Sequence, residues 1–291
     1  MPNPKKAAPE ATKRKASDDG DRALDAGSTL CATLLNAGFV RGHRSSSVRN
    51  ALSVAKVHRQ ATQAKDIVSF FERLKTAASV EWRAYTEHPF TNGLADGSLS
   101  EAAFRHYLVQ DYLFLIEFAR AYALAVYKSP RLADMREAAA GLSAIIDVEM
   151  NLHVKLCADW GLSPADLEQA PPAAEMLAYT RYVLDAGMRG DLLALKVALA
   201  PCVIGYAEIA TRLASLPLAD APTNAYRVWI AEYAGRPYQE VAAKAQAHLE
   251  HLADLYATPA REAELIAIFK EATRLEADFW EMAWRAGPGV E

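Results

Sequence analysis

Cysteine is scarce in this sequence, and its spacing forms no recognisable pair. The 291 residues contain three, Cys31, Cys157 and Cys202, without a Cys-x-x-Cys arrangement. Such a set argues against a disulfide framework and against a structural zinc site. A reducing compartment is the simplest interpretation, and we therefore expect a cytoplasmic protein.

Glycine, proline and long apolar runs are also in short supply. Gly and Pro number 14 each, while Ala and Leu are frequent, a balance that favours helices. No uninterrupted apolar run reaches the roughly 18–20 residues of a membrane span. No glycine-rich phosphate loop follows a strand. With 52% hydrophobic and 23% charged residues, the composition is that of an ordinary soluble globular domain.

Acidic residues are few only at the beginning of the chain. Residues 1–65 carry 12 Lys and Arg against 5 Asp and Glu, a net charge of +7, whereas the remainder carries 20 against 31, a net charge of −11. An acidic folded part argues against nucleic acid as the main partner. We expect residues 1–26 to be a disordered tail, with a nuclear or nucleic-acid signal in KKAAPEATKRK as the alternative.

Residues 27–65 have a different character. The stretch from 41 to 65 is rich in Arg and Ser and has no acidic residue, which resembles an organelle transit sequence, although acidic residues lie upstream of it. A start codon assigned too far upstream explains the segment equally well. We predict a disordered or targeting extension over 1–65 and a single domain over 66–287.

From about residue 66 the apolar pattern is helical throughout. A stripe at three- and four-residue steps predicts a first amphipathic helix, followed by a turn-rich break over 88–100. Ser100 is expected to cap a helix running to about residue 128. Further helices are predicted at about 129–160, 173–186, 190–216, 223–233, 237–257 and 260–286. Seven or eight helices with short connections indicate an all-α bundle.

Two carboxylates interrupt apolar helix faces. Asp111 lies within the stripe formed by Tyr107, Leu108 and Phe114, where burial of a charge requires a partner or a ligand; the alternative is a surface position. Glu276 borders an aromatic face, where a carboxyl acquires a raised pKa and can donate a proton near neutral pH. The alternative for Glu276 is an edge position with a hydrated head group.

Cys202 directly follows a proline in the apolar run LAPCVIGYAEIA (199–210). Pro201 removes a backbone donor, and a kink there would place Cys202 in the first turn of a new helical segment. Free backbone N–H groups at such an end favour a thiolate. The alternative is an inert, buried small side chain.

Two histidine clusters are candidate metal sites. EMNLH places Glu149 and His153 four residues apart, and HLEH places His248 and His251 three apart. Di-metal carboxylate bundles use Glu-x-x-His twice, which neither stretch reproduces. A hydrogen-bonded pair explains the first cluster and a solvated helix face the second.

Several stretches together resemble one family. In order along the chain they are HPF (88–90), DGSLSEAAFRHYLVQDYLFLIEFARA (96–121), EMNLH (149–153), AYTRYVL (178–184), ALAPCVIGYAE (198–208), YRVWIAEYAG (226–235) and EADFWEMAW (276–284). This series is similar to the TenA/thiaminase II family, also called aminopyrimidine aminohydrolases. The resemblance covers about residues 70–287, and residues 1–65 have no counterpart.

The resemblance implies a haem-oxygenase-like helical bundle, commonly a homotetramer, that needs no metal or organic cofactor. The implied reaction is hydrolysis of a C–N bond in 5-substituted 4-amino-2-methylpyrimidines, in thiamin salvage. The implied roles are nucleophile for Cys202, acid and base for Glu276, and binding of the aminopyrimidine by Asp111. The remaining implied residues are Phe114 for ring stacking, Tyr179, Tyr206 and Tyr233 in the pocket, and Glu208 as a possible support.

Other functions stay open at this point. A bundle of this kind could instead be an oxidase that acts on a quinone precursor or depends on a metal. It could also be a catalytically silent regulator. With only seven histidines and no second matched cluster, the sequence favours the hydrolase over the metal-dependent oxidase.

Overall fold

The computed structural model describes residues 68–288, and in that part of the chain every regular element is helical. The all-α prediction is therefore confirmed. The predictions for residues 1–65 lie outside the described residues. The helices are α1 (Phe70–Ala77), α2 (Ser79–Thr86), α3 (Pro89–Asp96), α4 (Glu101–Lys128), α5 (Leu132–Ala144), α6 (Met150–Asp159), α7 (Pro164–Glu168), α8 (Ala174–Arg189), α9 (Leu192–Ala200), α10 (Tyr206–Ala214), α11 (Arg227–Ala234), α12 (Arg236–Tyr256) and α13 (Pro259–Arg285).

This part of the chain holds more helical segments than the seven or eight predicted. The turn-rich stretch after residue 88 contains α3, because His88 Nδ1 accepts a 3.1 Å hydrogen bond from the Phe90 amide and Pro89 begins the helix. Gly97, with a φ of 76°, ends α3 in the left-handed conformation that glycine tolerates. Two predicted long helices are also interrupted by π-helical turns, Ile145–Glu149 and Pro201–Gly205.

The central helix of the bundle is α4. Ser100 caps it as predicted, since its Oγ accepts a 3.2 Å hydrogen bond from the amide of Ala103. Along its 28 residues α4 packs against α5, α6, α8 and α13. Burial on several sides explains why α4 is apolar over most of its circumference, and why a carboxylate at position 111 ends up inside the protein.

An aromatic core holds α13 against the N-terminal helices. The Trp280 ring stacks on Phe90 with centroids 4.9 Å apart and lies parallel to Tyr85 at 6.3 Å. All three side chains are buried, and full burial of a large apolar side chain contributes about 1.5–3 kcal/mol. This packing fixes the face of α13 that carries Glu276, one turn before Trp280.

Helices α9 and α10 form one continuous helical run with the π turn between them, Leu192–Ala214. By length and composition this run could cross a membrane. Most of it is buried among the other helices, as expected for the core helix of a globular domain.

Candidate active site

The π turn Pro201–Gly205 positions Cys202. Proline has no N–H and cannot continue the regular hydrogen-bond ladder. Side chains from neighbouring helices bind the carbonyls of this turn: the Tyr85 hydroxyl donates to Pro201 O and the Tyr238 hydroxyl to Val203 O, each at 3.1 Å. The π turn is thus held from α2 and α12 as well as by its own helix.

The predicted new helix start at Cys202 is wrong. The backbone stays helical through Ala200, Pro201 and Tyr206, so no set of free N–H groups faces the sulfur. Burial instead raises the pKa of the Cys202 thiol well above its usual value, and the nearby carboxyls of Glu276 and Asp111 raise it further. This shift favours the neutral thiol, and a thiolate requires a base or a bound positive charge.

Cys202 borders an internal cavity, and this is why its side chain is only partly buried. The cavity has a volume of about 90 Å³ for the centre of a water-sized sphere. Glu149, considered from the sequence as a metal ligand, lines it, and so do five of the eight site residues that the resemblance implied: Asp111, Phe114, Cys202, Tyr206 and Tyr233. These five come from α4, the π turn, α10 and α11, so the fold brings together side chains more than 120 positions apart.

Glu276 lies behind the cavity wall rather than on it. Its side chain is buried, and burial raises the pKa of the carboxyl to about 8, although the nearby Tyr179 hydroxyl and Cys202 thiol oppose this shift. Glu276 Oε1 and the Tyr179 hydroxyl form no hydrogen bond of ordinary geometry in residues 68–288. Glu276 therefore lies next to the Cys202 thiol, and its Oε1 can still form a hydrogen bond.

Asp111 has polar partners on two sides. Its Oδ2 lies 3.5 Å from His153 Nδ1, and the Tyr107 hydroxyl is a hydrogen-bond partner. Tyr107 in turn accepts a 3.3 Å hydrogen bond from the indole of Trp229. Burial raises the pKa of Asp111, and His153 and Tyr107 oppose that shift. These contacts orient the Asp111 carboxyl, and its raised pKa favours proton exchange with a basic nitrogen of a ligand.

Phe114 supplies a flat apolar wall. Its ring stacks on Tyr179 with centroids 5.6 Å apart and planes within 10°, and on Phe118 at 5.6 Å and 21°. Tyr179 does not line the cavity itself, because it lies buried on the far side of Phe114. The stack fixes the Phe114 ring and, through the Tyr179 hydroxyl, connects the aromatic wall to Glu276.

Glu208 lies away from the cavity. Its Oε1 accepts a 2.8 Å hydrogen bond from the Trp82 indole, and its Oε2 lies 2.7 Å from Lys75 Nζ. Glu208, which the resemblance implied as a possible support of the site, therefore connects α10 to α1 and α2. The cause is helical spacing: Glu208 is two residues beyond Tyr206 and faces a different direction.

His153 and His248 make contacts that the sequence did not predict. His153 directs both ring nitrogens towards α4, with Nε2 2.9 Å from Leu108 O and Nδ1 3.5 Å from Asp111 Oδ2. His248 is not on a solvated face, since its Nδ1 lies 3.0 Å from Glu137 Oε1. Within residues 68–288, no three His, Cys, Asp or Glu side chains are grouped as metal ligands would be.

Several polar residues of the site escape prediction from the sequence. Tyr85, Tyr107 and Tyr238 look like ordinary core aromatics, because nothing in their spacing reveals where the hydroxyl points. Lys196 does carry a signal in the sequence: it is the single charge in the helix LLALKVALA. It borders the cavity at the end opposite Asp111.

Chemically, this arrangement suits a flat nitrogen heterocycle. An aromatic wall can stack on a ring, and a buried carboxyl can bind an amidine-like edge. A thiol borders the same space, and behind it lies a carboxyl whose pKa near 8 lets it both give and take a proton at neutral pH. The nucleophile and the ring-binding groups thus line one cavity, and the base lies behind the nucleophile.

Known proteins resemble the chain over this same region. The model of the TENA/THI-4/PQQC family matches residues 77–286. The aminopyrimidine aminohydrolase of Halalkalibacterium halodurans is 38% identical over 218 residues, which are 75% of this chain and 96% of the relative. That of Helicobacter pylori is 31% identical over 206 residues, 70% of this chain and 94% of the relative.

A solved structure shares both sequence and fold. It is described as a TenA family transcription regulator from Silicibacter sp. TM1040, is 44% identical, and superimposes with a TM-score of 0.68 over 74% of this chain and 96% of its own. A domain from Shewanella denitrificans described as having a heme oxygenase-like fold, 15% identical, superimposes with a TM-score of 0.57 and bears on the fold alone. The chain belongs to the TENA/THI-4/PQQC family and has its haem-oxygenase-like helical fold.

Proposed function

We propose that this protein is an aminopyrimidine aminohydrolase of thiamin salvage, acting through a covalent adduct on Cys202. The observation that carries the proposal is the position of the Cys202 side chain between the cavity, which Asp111 also lines, and the buried carboxyl of Glu276. The relatives named aminopyrimidine aminohydrolase, one of them 38% identical along nearly its whole length, support the same reaction class.

Binding and activation come first in the proposed mechanism. The pyrimidine stacks on Phe114, and its amidine-like edge meets Asp111, which makes the adjacent ring nitrogen more basic. Protonation of the ring makes it electrophilic. Cys202 then adds to a ring carbon while its proton passes to Glu276, which explains how a thiol with a raised pKa acts as a nucleophile.

The adduct then exchanges the C5 substituent for water. Ring electrons expel the amine from the 5-methylene carbon, and Glu276 returns the proton to the leaving nitrogen. Water adds to the methylene as Glu276 takes a proton, and expulsion of the Cys202 sulfur restores the aromatic ring. The net change is R–CH₂–NH₂ + H₂O → R–CH₂–OH + NH₃, and for thiamin the leaving group is the thiazole.

The test is ammonia release from 5-aminomethyl-2-methylpyrimidin-4-amine by purified full-length protein. We expect Cys202→Ser to abolish release and Cys157→Ala to retain it, because Cys157 is buried outside the cavity and its sulfur faces Leu108 O. Full activity in the Cys202 variant would remove the covalent step. No release by the wild type from this compound, and no thiazole from thiamin, would overturn the hydrolase in favour of a silent protein.

We also propose a homotetramer. Three large apolar side chains more than half exposed support this: Tyr127, Leu132 and Met188. A 2.9 Å hydrogen bond from Lys128 to Met188 O joins the ends of α4 and α8, so these side chains belong to one region of the surface. Light scattering on the purified protein tests the assembly: a mass of four chains is expected, and a monomer would contradict it.

A further inference from the structure

The cavity continues well past the reactive groups. Its other end, called the Lys196 end here, is lined by Tyr122, Glu137, Gly141, Lys196, Ala245 and Leu249. Cys202 and Lys196 lie six residues apart on one helical run, about 9 Å along its axis. Phe114 and Tyr122 lie eight apart on α4, about 12 Å. The extra length corresponds to a second ring beyond a pyrimidine bound at Cys202.

The shape of this end depends on a glycine. A Cβ atom at Gly141 would lie 2.5 Å from the Tyr122 ring, a distance that real side chains do not adopt. Glycine therefore lets Tyr122 lie directly against α5. The ring then forms one wall of the cavity and contacts the ammonium of Lys196, whose Nζ lies 4.7 Å from the ring centroid.

Lys196 is the polar group best placed to bind a ligand there. It is half-buried in a helix whose other side chains are all buried apolar residues, and within residues 68–288 it forms no ion pair closer than 4 Å. The neighbouring carboxylates are already engaged: Asp134 by Arg131 at 2.7 Å and Glu137 by His248 at 3.0 Å.

An ammonium with unused donors facing a cavity favours a ligand with an oxygen acceptor. Lysine offers three N–H donors, and a hydrogen bond from a charged donor is worth more than one between neutral groups. Burial lowers the pKa of the Lys196 ammonium, and the nearby carboxylates of Glu137 and Asp134 oppose that shift. The site is thus suited to a hydroxyl or phosphate oxygen.

We propose that the Lys196 end binds the far end of a long C5 substituent, with Lys196 donating to a hydroxyl or phosphate oxygen on it. This inference rests on the proposed function, because the pyrimidine must lie at Cys202 for its substituent to point towards Lys196. Thiamin and thiamin monophosphate carry such an oxygen beyond the thiazole ring. The aminomethyl pyrimidine ends before reaching it.

The experiment compares kcat/KM for these three compounds in wild type, Lys196→Met and the matched control Lys270→Met, whose lysine lies on the outer face of α13 opposite Glu81. For Lys196→Met we expect a loss of about 10- to 100-fold on thiamin and thiamin monophosphate, the range for a hydrogen bond to a charged group. The aminomethyl compound should change less than about twofold, and Lys270→Met should change nothing.

Two results would overturn the subsite: equal losses on all three compounds, or no loss on the long ones. A larger loss on the monophosphate than on thiamin would identify phosphate as the preferred oxygen. If circular dichroism shows that Lys196→Met is unfolded, Lys196→Gln is used in its place.

Calorimetry separates the subsite from the reaction. Thiamin monophosphate is titrated into Cys202→Ser and into Cys202→Ser/Lys196→Met. Weaker binding by the double variant supports the subsite, whether or not the wild type turns over substrate. A lack of turnover by the wild type would refute only the proposed hydrolase. Equal Kd values, or binding in neither protein, would refute the subsite.

Discussion

The hydroxyl of Tyr85 donates a 3.1 Å hydrogen bond to the carbonyl of Pro201, immediately before Cys202. Tyr85 is fully buried and lies parallel to Trp280, so its position is set by the aromatic core. The bond connects that core to the π turn that carries the thiol. A tyrosine far from Cys202 in sequence therefore helps to determine where the sulfur lies.

Tyr85→Phe should destabilise the protein by about 1–2 kcal/mol, because the buried Pro201 carbonyl loses this donor. Urea unfolding measures the change. Tyr182→Phe is the matched control, since Tyr182 is only partly buried and, in residues 68–288, its hydroxyl donates to no carbonyl; its loss should stay within about 0.5 kcal/mol. Equal stabilities of the two variants would show that the hydrogen bond to Pro201 contributes nothing.

Glu276 should make the stability depend on pH. Because burial raises the folded pKa to about 8 from an ordinary 4.5, the folded state keeps a proton that the unfolded state has lost between these values. Stability therefore falls as pH rises from about 4.5 to about 8, by up to about 1.4 kcal/mol per pH unit from this group.

Glu276→Gln removes this titration. Between pH 5 and pH 8 the unfolding free energy of the wild type should therefore fall relative to that of the variant. Chemical denaturation at several pH values measures it. A difference that is constant over this range would mean that Glu276 ionises with an ordinary pKa.

The same substitution should lower turnover at least 100-fold, as is typical when a general acid and base is lost. Ammonia release from the aminomethyl pyrimidine measures it. Asp278→Asn on the same helix is the control: Asp278 is paired with Arg274 on the surface, and its loss should leave kcat unchanged. Activity of Glu276→Gln within a few-fold of wild type would rule out this role.

Periodicity predicted much of the bundle. The long apolar stripe around Asp111 indicated a buried helix, and a carboxylate within it indicated a site, because a buried charge is costly unless a partner or a ligand compensates it. The boundaries of α4 follow from local chemistry, with Ser100 as the cap. These features depend on residues close together in the chain.

What failed depends on one unusual helix cap and on contacts between distant helices. The helix α3 starts at a histidine cap, a residue outside the usual set of Ser, Thr, Asp and Asn. The π turn at Pro201 survives because Tyr85 and Tyr238 bind its carbonyls, so local sequence alone suggested a break. Likewise, the contact of His153 with Leu108 O on α4 joins positions 45 residues apart, which local spacing does not reveal.

Glu208 provides the last test, since its placement separates structural support from catalysis. Glu208→Gln removes the charge that binds Lys75 at 2.7 Å while leaving an amide oxygen able to accept from the Trp82 indole. The Glu208 carboxylate is exposed, although the Lys75 side chain is mostly covered, so we expect a loss of stability of about 1 kcal/mol or less and turnover within about twofold of wild type. Thermal unfolding and ammonia release measure the two effects. If turnover instead fell by about 10-fold or more while stability stayed unchanged, Glu208 would belong to the catalytic machinery.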